Sequence, residues 1–142
     1  MFVENSSLEH NILKKIGGFS SRKGDDMVNN ECIKRGDLYL AHLTGCGSEQ
    51  NGTRPVVIIQ NDVGNKYSPT TVVVPITSQE KKDIPTHVRL NPDDGVIKPS
   101  TALCEQPFAV DKSRLMKKLG TLSENKVEDI NKKIMFNLGM GV

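Results

Sequence analysis

Two polar side chains sit at the ends of the most apolar stretches in the chain. Arg54 immediately precedes Pro55-Val-Val-Ile-Ile-Gln60, and Thr77 closes the β-branched run that starts at Thr70. Arg54 ends a flexible loop and opens a rigid, buried segment, so its base is fixed while its guanidinium reaches solvent. A guanidinium held this way grips a phosphate through two parallel hydrogen bonds and stabilises charge developing on it. Thr77 offers a hydroxyl for the same phosphate. If the two runs pair as neighbouring strands, cation and hydroxyl share one surface. The plainer readings are a surface arginine and a β-former at a strand end, and composition alone favours them.

Other chemistries lack their residues. The chain contains no HExxH, P-loop or GxGxxG, and no carboxylate cluster of the kind a two-metal nuclease uses. A pair of histidines could cleave RNA by general acid–base catalysis. Of the three here, His10 lies in an N-terminal tail, and His42 and His87 fall in strands, where a lone histidine is more often structural. Cys32, Cys46 and Cys104 are odd in number and form no CxxC, which argues against a zinc site or a disulfide framework and for reduced cytosolic thiols. No metal or other cofactor is expected.

The elements that must position Arg54 and Thr77 follow from pattern. Arg35–Leu43 reads as a strand rich in Leu and Tyr. Thr44–Thr53 is a polar loop with glycines at 45, 47 and 52, long enough to be functional. Pro55–Gln60 is a continuous apolar strand, Asn61–Pro69 a turn-rich loop, and Thr70–Thr77 the strongest strand signal. Pro75 inside that strand points to an edge, bulge or bend. Pro85–Leu90 alternates as a half-buried strand. Ser100–Val110 is a strand interrupted at Pro107, Asp111 opens a helical turn, and Lys117–Leu119 is a short strand. The Ser123–Leu138 segment places Val127, Ile130, Ile134 and Leu138 on one helical face, with Ser123 as cap and Gly139 as terminator. The pattern predicts a mostly β domain with a C-terminal helix, a small and strongly bent barrel.

At 142 residues the chain has room for one domain with its own core. Residues 1–33 read as an N-terminal extension, poorly structured or a short helix over Leu8–Ile16; residues 34–142 read as the folded domain. The extension carries a net charge of −1 and the remainder +3. That surplus permits a nucleic-acid partner without requiring one. Apolar runs are too short for a membrane span or a signal peptide, which implies a cytoplasmic protein.

Several motifs in order, RGDLYLAHL, GSEQNGTRPVVIIQND, GNKYSPTTVVVPITSQ, THVRL and LCEQPFAVDKSRL, resemble the MazF/PemK toxins of bacterial toxin–antitoxin systems. The resemblance covers about residues 33 to 138. It implies an SH3-like bent barrel of the CcdB/MazF type, a homodimer, and metal-independent endoribonuclease activity on single-stranded RNA. The family's catalytic arginine corresponds to Arg54 and its threonine to Thr77. The expected reaction is attack of a ribose 2′-OH on the adjacent phosphorus, leaving a 2′,3′-cyclic phosphate and a 5′-OH.

Phosphate contacts carry no sequence information, so base edges must be read by other groups. The candidates are Ser48, Glu49 and Gln50 in the first loop, Asn61 in the second, Gln79 after the strand, and Glu105 with Gln106. With only 4% aromatic residues and no Trp, readout by hydrogen bonds is favoured over extensive stacking. The implied partners are messenger RNA and a MazE-like antitoxin with an acidic, flexible tail. Two alternatives compete: a non-catalytic toxin of the same fold that binds and poisons DNA gyrase, and an SH3-like interaction module. The Arg54–Thr77 pair favours the enzyme, and the scarcity of aromatics disfavours the module.

Overall fold

A computed structural model describes residues 33–80 and 82–141. The Leu8–Ile16 helix expected from sequence, His10 and Cys32 lie outside them. In chain order the elements are β1 (Asp37–Leu43), β2 (Gly52–Ile58), α1 (Asp62–Tyr67), β3 (Thr70–Thr77), β4 (His87–Leu90), β5 (Ser100–Leu103), β6 (Phe108–Asp111), β7 (Leu115–Thr121) and α2 (Glu124–Asn137). Short 3-10 turns occupy Pro92–Asp94 and Lys112–Arg114.

The strands run antiparallel in the order β4-β5-β3-β2-β1-β7, with β6 also paired to β3. The expected mostly β architecture with a C-terminal helix is therefore present. Its hydrogen-bonded path is open, ending at β4 and β7, rather than closed into a barrel. Along its length β3 pairs first with β6 (Thr70↔Asp111 to Val73↔Phe108) and then with β5 (Ile76↔Ala102, Thr77↔Thr101). Between these ladders lie Val74 and Pro75. Ile59 N donates to Val72 O at 2.8 Å, so amides of the Val72, Val74 parity face β2. Pro75 therefore presents its missing N–H to the β5–β6 side, and the chain there leaves the sheet as the corner Cys104–Pro107.

Alternation of side chains across the strands divides the core in two. Leu38, Val57, Val74 and Ile76 join Val88, Leu90, Ala102 and Leu122 on one face, covered by Val127, Ile130 and Ile134 of α2. Tyr39, Ala41, Leu43, Val56, Ile58 and Val73 form a second cluster on the other face, with Ile33, Val110 and Leu115 and with Phe108 packed against it. Ser123 caps α2 by accepting from Lys126 N, and Gly139 at φ 70° ends it, with Met140 N bonded to Met135 O. Leu138, expected on the buried face, is the C-cap residue and is exposed, because the apolar stripe leaves the core with the last turn. No helix among the described residues is long and apolar enough to cross a membrane.

Two segments depart from the sequence reading. β2 starts at Gly52, three residues before Pro55, since pairing with β1 (Leu43↔Gly52, Ala41↔Arg54) extends it outward. Asn61–Pro69, expected as a loop, contains α1. Asn61 accepts from Gly64 N at 2.8 Å as its N-cap, and Ser68 terminates it.

Candidate active site

Arg54 stands on β2 and Thr77 on β3. The β2–β3 ladder pairs Ile58↔Val73, Val57↔Val74 and Val56↔Pro75. The ladder ends there; continued by two residues, the same register would bring Arg54 opposite Thr77 in a non-hydrogen-bonded position, while the observed partner of Thr77 is Thr101 of β5. Regular pairing stops short because Pro55, between Val56 and Arg54, has no amide to donate. By alternation Arg54 shares the face of Val56 and Ile58, and Thr77 that of Val73. Both thus belong to the side of the sheet that carries the second core cluster.

The guanidinium is tethered at one point only: Nε donates to Asn51 O at 3.0 Å. Among the described residues its terminal nitrogens have no partner, so the forked face is open to a ligand. Thr77 differs from expectation. It is 1% exposed, and its Oγ1 accepts from Gln79 N at 3.2 Å. The bond shapes the turn by which the chain leaves β3. Its hydroxyl proton has no acceptor among the described residues.

A cleft of about 340 Å³ is lined by Leu43, Thr44, Gly45, Glu49, Gln50, Glu105, Gln106, Pro107 and Phe108, with neither Arg54 nor Thr77 in its lining. Its walls are the β1–β2 loop and the Cys104–Pro107 corner. Glu49 closes the loop by accepting from Cys46 N at 2.8 Å through Oε1, while Glu49 N donates to Cys46 O. Gly45 lets the loop fold back, since a Cβ there would collide with the Gln50 carbonyl. Arg114 ties the loop down from the 3-10 turn, with Nη1 donating to Thr44 Oγ1 at 3.3 Å.

Of the seven residues expected to read bases, four (Glu49, Gln50, Glu105, Gln106) line the cleft. Ser48 and Gln79 are exposed near it, in the β1–β2 loop and just past Thr77. Asn61 is the exception: it lies at the other end of β2, and its side chain is committed to capping α1. The two strand histidines do not form a pair. His42 is exposed on β1, whereas His87 on β4 bonds Glu105 through Nε2 at 3.3 Å. Thr86 donates to the other Glu105 oxygen at 3.1 Å. Sequence reasoning passed over Thr86, His87 and Arg114 as site elements. The Glu-Gln-Pro break after a strand was the available signal for the first two.

A family model described as PemK-like, MazF-like toxin of type II toxin–antitoxin systems matches residues 34–138. The chain belongs to this toxin family. It is 50% identical over 111 residues to the Endoribonuclease MazF of Staphylococcus saprophyticus, spanning 76% of this chain and 92% of that relative. Among solved structures, MazF from Deinococcus radiodurans superposes with TM-score 0.68 at 25% identity, covering 76% of this chain and 97% of the other. An endoribonuclease in complex with its cognate antitoxin, from a mycobacterial species, gives TM-score 0.68 at 23% identity, covering 78% and 99%.

Within this toxin the buried cysteine is held inert. Burial, reinforced by the Glu105 charge and partly offset by Lys133, pushes the Cys104 thiol up to about 12. At neutral pH it stays protonated and is no nucleophile. Among the described residues no three His, Cys, Asp or Glu side chains are grouped to hold a metal ion.

Proposed function

We propose that this toxin is a sequence-specific endoribonuclease acting on single-stranded RNA, with Arg54 as its principal catalytic group. The observation that supports the reading is the β2–β3 register, which ends at Val56↔Pro75 and, extended by two residues, would bring the Arg54 guanidinium opposite the Thr77 hydroxyl. In the reaction a ribose 2′-oxygen attacks the adjacent phosphorus and the P–O5′ bond breaks. The 2′ proton is lost, the 5′-oxygen is protonated, and a 2′,3′-cyclic phosphate remains. Arg54 stabilises the dianionic phosphorane through paired N–H donors. Its high pKa makes it a poor proton donor, so its role is electrostatic. Thr77 Oγ1 accepts from Gln79 N, and its hydroxyl proton, which has no acceptor among the described residues, is the group we assign to a phosphate oxygen. The side chains assigned to these steps include no metal ligand.

The family and the 50% identical endoribonuclease support the same activity. Solved relatives bound to antitoxins support a MazE-like partner, whose acidic flexible tail would compete with RNA for Arg54. A homodimer is the working assembly we assign. The test is incubation of mixed-sequence single-stranded RNA with purified protein in EDTA, followed by analysis of the ends. Discrete cuts ending in cyclic phosphate are expected, abolished in Arg54→Ala and much reduced in Thr77→Ala. Uncut RNA beside an inhibited gyrase would overturn the reading.

A further inference from the structure

The cleft is rich in hydrogen-bond acceptors. Glu49 and Glu105 bring two carboxylates to its lining, and Gln50 adds its amide. Gln50 Oε1 is buried without a hydrogen bond, and it is the one side-chain atom of this kind among the described residues. A buried acceptor left open in this way suits a donor that the described residues do not supply. Two carboxylates repel a phosphate, so the group that enters is a neutral base edge carrying N–H donors.

Both cleft carboxylates are anchored, Glu49 by a backbone amide of its own loop and Glu105 by two side chains from another strand. Thr86, 8% exposed, donates to Oε1 at 3.1 Å, and His87, its side chain 7% exposed, bonds Oε2 at 3.3 Å. Both donors come from the β4 end, outside the cleft lining. They fix the carboxylate's rotamer and leave it lone pairs, since a carboxylate offers about four acceptor positions. At about 340 Å³ the cleft is near the lower end of the range for ligand sites, suited to a single base between the Leu43, Pro107 and Phe108 walls.

We propose that Thr86 and His87 are positioning residues that hold Glu105 as a fixed acceptor, so that the cleft admits one RNA base bearing an exocyclic amine and rejects uracil. The inference rests on the endoribonuclease reading and assigns a chemical class to one position of the recognised word. Adenine, cytosine and guanine each offer an amine with two N–H groups, whereas uracil offers one N–H flanked by two carbonyl oxygens. Those carbonyls would face Gln50 Oε1 and Glu105. A site built to bond an N–H discriminates strongly against an analogue lacking it, because its own acceptors are then left unpaired.

The experiment uses an oligoribonucleotide containing the cut word. Each amine-bearing base is replaced in turn by its deamino analogue: purine for adenine, hypoxanthine for guanine, 2-pyrimidinone for cytosine. At one position the wild-type protein should lose roughly tenfold or more in kcat/KM. That penalty should fall to about twofold in Glu105→Ala, His87→Phe and Thr86→Val, and return in Thr86→Ser, which keeps the hydroxyl. If the penalty is unchanged in the His87 and Thr86 variants, or both substrates slow equally, the positioning role is wrong. If the wild-type protein cuts no RNA, the catalytic reading fails by itself, and nucleoside binding decides the pocket. At least one of adenosine, cytidine and guanosine, but not uridine, should then shift the Gln50 side-chain amide resonance; equal shifts with uridine, or no shift with any of the four, would overturn the inference.

Discussion

The two ends of β3 treat buried polarity in opposite ways. At the Thr70 end, Asn65 is 0% exposed and fully engaged. Its Oδ1 accepts from Thr71 Oγ1 at 2.7 Å and Gln60 Nε2 at 3.2 Å; its Nδ2 donates to Gln60 O and Asp62 Oδ1. Lys112, also buried, donates its ammonium to the Asn65 carbonyl. At the Thr77 end the accounts stay open among the described residues: Arg54 has one tether, Thr77 an unused proton and Gln50 an unpaired oxygen. Polarity that closes on itself fixes one conformation, and polarity left unanswered implies a molecule still to bind. One strand thus joins a lock to a site.

The sharpest way to break this comparison is at Arg54. Arg54→Ala should lower RNA cleavage by roughly 10²–10³-fold with the urea midpoint unchanged. Arg54→Lys should recover little, because the planar fork is lost. A large loss of stability in either variant would assign Arg54 to the lock instead. The reverse result is expected at Asn65. Asn65→Ala leaves the buried Thr71 hydroxyl without its acceptor and removes one of the two bonds of Gln60 Nε2, and should cost about 2–4 kcal/mol in urea denaturation, while the folded fraction keeps its cleavage rate.

Smaller effects sharpen the contrast. Gln50→Leu should stabilise the fold by roughly 1 kcal/mol by removing an unpaired buried acceptor, and the same variant should blur base selectivity in cleavage mapping. A fall in the urea midpoint would mean that Gln50 belongs to the folded framework. The smallest effect is at Cys104. Iodoacetamide at pH 8 should modify exposed Cys46 and spare Cys104, as peptide mapping would show. The folded thiol ionises at about 12 against an ordinary 9.0. The unfolded chain therefore loses its proton first. Its contribution to stability is full below pH 9.0, declines as pH rises, and is lost by about 12. Cys104→Ala should remove that part of the alkaline slope.

Much of this arrangement was legible in the sequence because local signals and tertiary demands agreed. The β-branched run Thr70–Thr77 became β3 with those bounds, and Ser123 and Gly139 bracket α2 as their capping chemistry dictates. Glu49, Gln50, Glu105 and Gln106 meet in one cleft because two polar interruptions, far apart in sequence, flank the same sheet face. Asn61 stands apart from the cleft for a local reason: a side chain that accepts readily from a base accepts equally well from the Gly64 amide, which it caps here. The α1 helix was hidden by Gly64 and Pro69, which advertise a loop, while the bonds that hold the helix come from Gln60, Thr71 and Lys112. The burial of Thr77 was equally unreadable, since strand-end position says nothing about what the next two residues fold over.

The prolines at 55 and 75 also set a reading frame for the sheet. A strand that slips by one residue turns every side chain to the opposite face, and here such a slip would carry Arg54 to the helix-covered side. Pro75 turns its missing amide to the gap between the β6 and β5 ladders, and Pro55 ends the β2–β3 ladder where its amide would be called for. The rings that interrupt the ladders thereby penalise slipped alignments, so the face on which Arg54 stands is tied to the positions of two prolines.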